Sequence, residues 1–285
     1  MTRTPRSTSW SSAIGANTRA GRSPCLKRWR TSPMRLAATS SSPPETISIR
    51  AASNPSPIRS GRRHSKPPSP RRRLQTPWYA VLGNHDYRGS VDAELDYTIA
   101  SPRWQMPSRY WRSDMDLGAE TASFFFLDTF PLTHLPMLRA RVPMLGDRDE
   151  AQEQLRWLER ALAASNARWK IAVGHHPILS SGSHGGSETL YDHVRPLLER
   201  YGVRAYFNGH DHNLEYLSDG GVSYICSGAG SEAREVRAPL EQTRFAYGRG
   251  PGFVSCRLNS ETLVVRFHDA TGAVLYRTEI ASTSA

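Results

Sequence analysis

Three largely apolar runs in this chain each lead into a short motif that opens on glycine and carries histidine, and that repeated pattern limits the fold more than any other feature. Trp78–Leu82 (WYAVL) leads into GNHDY, Trp169–Val173 (WKIAV) into GHHP, and Val203–Phe207 into GHDHN. A short apolar run closed by Gly reads as a buried strand. Between and after these strands, Glu150–Ser165 places Leu155, Leu158 and Leu162 at helical spacing, and Glu188–Arg200 reads as a second helix. Phe124–Leu127 (FFFL) is another strand, and further strands are expected at Val222–Cys226, Phe253–Leu258, Leu263–Phe267 and Val274–Tyr276. Strands alternating with helices, then a strand-rich end, imply a layered α/β domain. In open α/β sheets, sites form beyond the carboxyl ends of strands. A preceding Gly is expected to let the backbone turn sharply there, so three loops distant in sequence converge on one centre.

The first 73 residues have a different texture. They hold 15 Ser, 14 Arg and 10 Pro, with one acid, Glu45, and no Tyr. The net charge of +11 belongs to this segment, because its 16 Lys/Arg leave 21 basic against 25 acidic side chains in the remainder. Its apolar residues follow neither helical nor strand periodicity, so a basic disordered segment is expected. The chain has no run of 18 apolar residues and no apolar stretch of the signal-peptide kind, so neither a membrane span nor export is expected. Three cysteines, Cys25, Cys226 and Cys256, are too few for a disulfide framework. A Cys226–Cys256 bridge is open, with two core thiols the plainer reading.

Taken singly, each motif has a plain alternative. GNHD reads as a turn capped by its Asp, and GHHP as a pre-proline loop with surface imidazoles. In this order, each after a strand, they read as metal ligands, because imidazole suits Zn, Fe and Mn and an amide oxygen suits the harder ions. His210 and His212 are separated by one residue, a spacing that on an irregular loop directs two rings to two neighbouring ions. Two ions about 3.5–4 Å apart clamp a phosphoryl group and activate water.

The order GNHD, GHHP, GHDH resembles the calcineurin-like metallophosphoesterases. The stretches PWYAVLGNHDYRG, RWQMPSRYW, FFFLDT, WKIAVGHHP, GSHGG, YFNGHDHNLEY and SGAGS narrow the resemblance to purple acid phosphatases of the tartrate-resistant type, over about three quarters of the chain from Leu74 onward. The resemblance implies a four-layer αββα sandwich in residues 74–285 and hydrolysis of phosphate monoesters at a binuclear centre, iron plus Fe, Zn or Mn. It implies Asn84, His175 and His210 on the divalent metal and His212 on the ferric one. His85 and His184 are implied to hold substrate phosphate or protonate the leaving group. His176 reads as a bystander, and Asp86 and Asp211 as braces for their loops. The partner implied is a small phosphate ester, with no membrane and no nucleic acid expected. Two rivals stay open. One is a phosphodiesterase of the same superfamily, and the other a non-catalytic protein whose basic residues 1–73 bind nucleic acid.

The family's upstream GDWG-like and GDNFY-like motifs, which supply a terminal Asp, a bridging Asp and a Tyr, are absent from residues 1–73. The genetic code suggests where they went. Pro44–Arg50 (PETISIR) back-translates as CCG GAG ACA ATT TCT ATC CG, which read from its third base encodes GDNFYP. Trp10–Ala16 (WSSAIGA) permits VIGDWG in the same shifted register. Residues 1 to about 72 therefore read as out of frame. The first domain to be expected is then residues 74–285 without its first strands, and the chain as written should be a weak or inactive phosphatase.

Overall fold

A computed structural model of the chain describes residues 77–134 and 148–282, together with the backbone of two strands, β1 (Met34–Leu36) and β2 (Ile47–Ala51). Both strands lie in the segment expected to lack regular structure. The back-translated motifs otherwise fall outside the described residues. In sequence order there follow β3 (Trp78–Val81), a 3-10 turn (Asp86–Arg88), α1 (Val91–Ala100), β4 (Trp104–Gln105), β5 (Trp111–Asp116), β6 (Thr121–Phe126) and α2 (Thr129–Thr133). Then come α3 (Arg148–Ala163), β7 (Trp169–Val173), α4 (Glu188–His193), α5 (Arg195–Arg200), β8 (Ala205–Asn208), β9 (Leu214–Asp219) and β10 (Val222–Ser227). The chain closes with β11 (Thr243–Tyr247), β12 (Gly252–Leu258), β13 (Thr262–Asp269) and β14 (Val274–Ala281).

One sheet has seven strands in the order β11-β9-β10-β8-β7-β6-β5. Its centre, β10-β8-β7-β6, is parallel, β9 and β5 run against it, and β11 pairs antiparallel with β9 at the edge. A four-stranded sheet, β1-β2-β3-β4, and a three-stranded one, β12-β13-β14, make up the other β layer. Strand alternation gives each sheet two faces, and the cores show what covers them. Phe124, Phe126, Ile171, Val173 and Ile225 pack against Val254, Val265, Phe267 and Val81 between the β layers. Phe125, Ala172, Tyr206 and Tyr224, from alternate positions, pack against Leu158, Leu162, Leu190 and Leu198 of the helices. On the far side, Ala80 and Leu82 meet Val91 and Leu95 of α1. The order helix, sheet, sheet, helix is the αββα sandwich expected. Trp169 ties the β layers together, its indole N–H donating to Asn259 O at 2.8 Å from the β12–β13 turn.

The helix expected over Glu188–Arg200 is two helices. Pro196 has no N–H and sits in the first turn of α5, so the chain restarts at Val194 rather than continuing. Cys226 and Cys256 are both free and buried, as two core thiols. The Cys226 thiol lies 3.4 Å from Asp211 O and 3.5 Å from Gly209 O, beneath the GHDHN loop. Burial pushes its pKa well up. No described helix is long and apolar enough to cross a membrane.

Candidate metal centre

The three motifs sit at the carboxyl ends of β3, β7 and β8, and the parallel pairing of β7 with β8 sets GHHP beside GHDHN. The expected role of the motif glycines needs correction. The left-handed residue is His210, with φ of 64°, and not the glycine before it. That unusual backbone carries the strain of aiming a ring inward. Gly174 is needed for close approach: a Cβ there would lie 2.4 Å from the Tyr206 hydroxyl and 2.6 Å from Thr129 Cγ2.

His175 Nε2 lies 2.8 Å from Asn84 Oδ1 and 3.2 Å from His210 Nδ1. Ligands about 2.0–2.2 Å from one ion in tetrahedral or octahedral geometry sit about 2.8–3.6 Å apart, so this donor set fits an ion. One ring nitrogen each of His175, His176 and His210 falls within 4.8 Å of the others. The His184 ring stands 4.6 Å from that of His210, centroid to centroid. His85 follows Asn84 on the same half-buried loop. His212 takes a different place. It is outside this cluster, with Nδ1 3.2 Å from Glu232 Oε2.

Asp86 and Asp211 brace the loops. Asp86 Oδ2 accepts the Gly83 N–H at 2.7 Å. Asp211, fully buried, accepts the Ser180 hydroxyl through Oδ2. Its Oδ1 takes the His184 backbone N–H at 2.8 Å and faces the ring's Nδ1 at 3.0 Å. Gly182 lets this happen, since a Cβ there would meet the Asp211 carboxyl at 2.4 Å. The acidic partner keeps a proton on Nδ1 of His184 and directs Nε2 outward.

Two further residues went unread in the sequence. Thr129 Oγ1 lies 3.2 Å from His175 N, 3.0 Å from His176 N and 2.9 Å from His176 Nδ1. Its neighbour Asp128 caps α2 through Phe130 N at 3.3 Å and accepts the Tyr87 hydroxyl, tying the GNHDY loop to α2. The motif FFFLDT signals strand then cap, but nothing in it shows that two histidine loops hang on it. Burial is the main influence on the Asp128 carboxyl and raises its pKa from 3.8 to about 7. His176 is held well below the usual histidine range, first by burial and then by the neighbouring imidazoles His175 and His210.

The Asp128 shift has a sign that can be tested. Below about pH 4 the carboxyl is neutral in both folded and unfolded chains. Between about pH 4 and 7 the unfolded chain alone sheds the proton, so the contribution to stability falls as pH rises through that window. Asp128→Asn is expected to flatten the fall, read as denaturation midpoints against pH for both proteins.

The sequence pattern of the calcineurin-like phosphoesterases matches residues 63–214, more than half of the chain. This chain belongs to that family. Among calcineurin-like phosphoesterases it is similar to tartrate-resistant acid phosphatase type 5 of Rattus norvegicus, 37% identical over 217 residues, covering 72% of this chain and 66% of that one. The Homo sapiens protein of the same name is 36% identical over 219 residues, at 72% and 67% coverage. The chain thus spans about two thirds of the length of these relatives. Purple acid phosphatase 3 of Arabidopsis thaliana is 37% identical over 217 residues, covering 71% of this chain and 58% of that one. Among solved structures, GAP50, the anchor in the inner membrane complex of Plasmodium, superposes with a TM-score of 0.63 at 26% identity, covering 72% of this chain and 65% of that one.

Proposed function

We propose that this phosphoesterase-family chain hydrolyses phosphate monoesters at a metal centre, with Asn84, His175 and His210 as ligands. The observation that carries the reading is the donor spacing around His175 Nε2, 2.8 Å to Asn84 Oδ1 and 3.2 Å to His210 Nδ1. A bound ion would supply Lewis acidity toward a phosphoryl oxygen and lower the pKa of water. The chain's own residues do the rest. His184, with Nδ1 held by Asp211 and a side chain 42% exposed, would hand a proton from Nε2 to the departing alcohol. His85, which follows Asn84 on the same loop, would hold a phosphate oxygen. His212 would serve a second, iron-binding position, whose remaining ligands are the upstream carboxylates and Tyr that residues 1–73 lack in this frame. The similarity to acid phosphatases favours the monoester over the diester.

The test is paired assay of a mono-phenyl and a bis-phenyl phosphate on zinc- and iron-loaded protein at acidic pH. Faster turnover of the monoester supports the reading, and preference for the diester returns the phosphodiesterase alternative. A second, non-catalytic reading rests on that missing carboxylate set and on the likeness to GAP50, which is an anchor. It requires that loaded protein hydrolyse neither ester.

A further inference from the structure

We infer that His176 is a hydrogen-bond donor to a phosphate oxygen at the metal centre and not a third imidazole ligand. The inference rests on the proposed phosphatase reading for its ligand, and on a count of hydrogens for its chemistry. A threonine hydroxyl has one hydrogen to give and two lone pairs to receive. Thr129 Oγ1 receives the backbone N–H of His175 at 3.2 Å and that of His176 at 3.0 Å, which fills both lone pairs. Its hydrogen then goes to the remaining neighbour, His176 Nδ1 at 2.9 Å. Nδ1 is therefore bare and accepting, and in the neutral ring Nε2 carries the hydrogen.

The consequence holds for both ring nitrogens. The Nδ1 lone pair is spent on Thr129, and Nε2 presents N–H, so His176 offers an ion nothing to bind. Its ring nonetheless stands 4.8 Å from that of His175 and 4.5 Å from that of His210, centroid to centroid. Among the described residues Nε2 has no hydrogen-bond partner. A neutral N–H with a fixed direction, beside two ligands of a cation, matches an oxyanion held on that cation. Thr129 is then a positioning residue: it sets the ring's tautomer and pins the backbone of both histidines.

The tautomer is read by nitrogen NMR on the metal-free full chain with labelled histidine. The His176 signals should show Nε2 protonated and Nδ1 bare. Thr129→Val should lose that preference, and Thr129→Ser should keep it. A protonated Nδ1 in the wild-type chain overturns the inference, whatever the metal does. Two arms then test the role. Zinc content of His176→Phe should equal wild type, while His175→Ala loses zinc; equal losses would make His176 a ligand after all. Inorganic phosphate should bind zinc-loaded His176→Phe roughly ten- to a hundredfold more weakly than wild type, the effect of one hydrogen bond to a charged group. His176→Gln, which keeps an N–H donor, should recover part of the loss. Unchanged phosphate affinity in His176→Phe would overturn the donor role. Failure of zinc-loaded wild type to bind phosphate at all would instead count against the phosphatase reading, with the tautomer still deciding the assignment of His176.

Discussion

A chain re-encoded so that residues 1–72 are read in the shifted frame is expected to hydrolyse a chromogenic phosphate monoester at least about a hundredfold faster than the chain as written, because a second ion contributes several kcal/mol of charge stabilisation. The physical reason is electrostatic. Two cations a few ångströms apart repel, and an anionic bridge between them offsets that repulsion. Residues 1–73 contain one acid, Glu45, and no Tyr, so the chain in its present frame has no upstream carboxylate pair or phenolate to supply. The re-encoded chain should also absorb in the visible when loaded with iron, through a tyrosinate ligand, whereas the chain as written should be colourless. Equal turnover and equal absorbance in the two would show that the upstream ligands are dispensable, and the out-of-frame reading would fall with them.

Loss of the imidazole at position 175 or 210 is the second large effect. His175→Ala is expected to weaken zinc binding by more than about a hundredfold, beyond the 10–100-fold typical of residues that merely support a ligand. His175 Nε2 is the common neighbour of Asn84 Oδ1 and His210 Nδ1, so its removal leaves two donors with no third to complete the set. His212→Ala should cost the same site little, because its ring nitrogen is engaged by Glu232, outside the cluster. Isothermal titration of each variant with zinc separates the cases. A loss in His212→Ala as large as in His175→Ala would place His212 on the same ion.

Two kinds of element could be read from sequence: strands buried on both faces, and elements such as Phe253–Leu258, Leu263–Phe267 and Glu150–Ser165 whose buried and exposed positions follow the period of a strand or a helix. Trp78–Val81, Trp169–Val173 and Ala205–Asn208 are interior strands of their sheets and buried at most positions on both faces, so they appear as near-continuous apolar runs, broken by Lys170 in the second and ended by Asn208 in the third. Strand β5 escaped because it is a margin strand, half-buried along its length, and carries Arg112, Ser113 and Asp114. Helix α1 escaped because none of its residues is buried and it shows little amphipathic pattern. Strand β9 hides a fully buried Glu215, whose carboxylate takes the Ser181 backbone N–H at 3.1 Å. No local pattern announces a buried acid in a strand.

For the candidate site, the residue types were legible and their directions were not. The motifs named Asn84, His175 and His210, which the structure gathers, and His184, which stands beside them. They could not say that His210 takes a left-handed backbone while His212, two residues on, meets Glu232. They also could not show that His176 shares a hydroxyl with its neighbour's backbone. That contact joins α2 to the β7 loop across 47 residues of sequence, and it follows from packing alone.

The most direct test of the central claim is anomalous diffraction from a crystal of the zinc-loaded chain, measured on either side of the zinc edge. The account predicts a peak about 2.0–2.2 Å from Asn84 Oδ1, His175 Nε2 and His210 Nδ1, with His176 more distant and still bonded to Thr129. A peak between His212 and Glu232 with none at His175, or no ordered zinc at all, would contradict it.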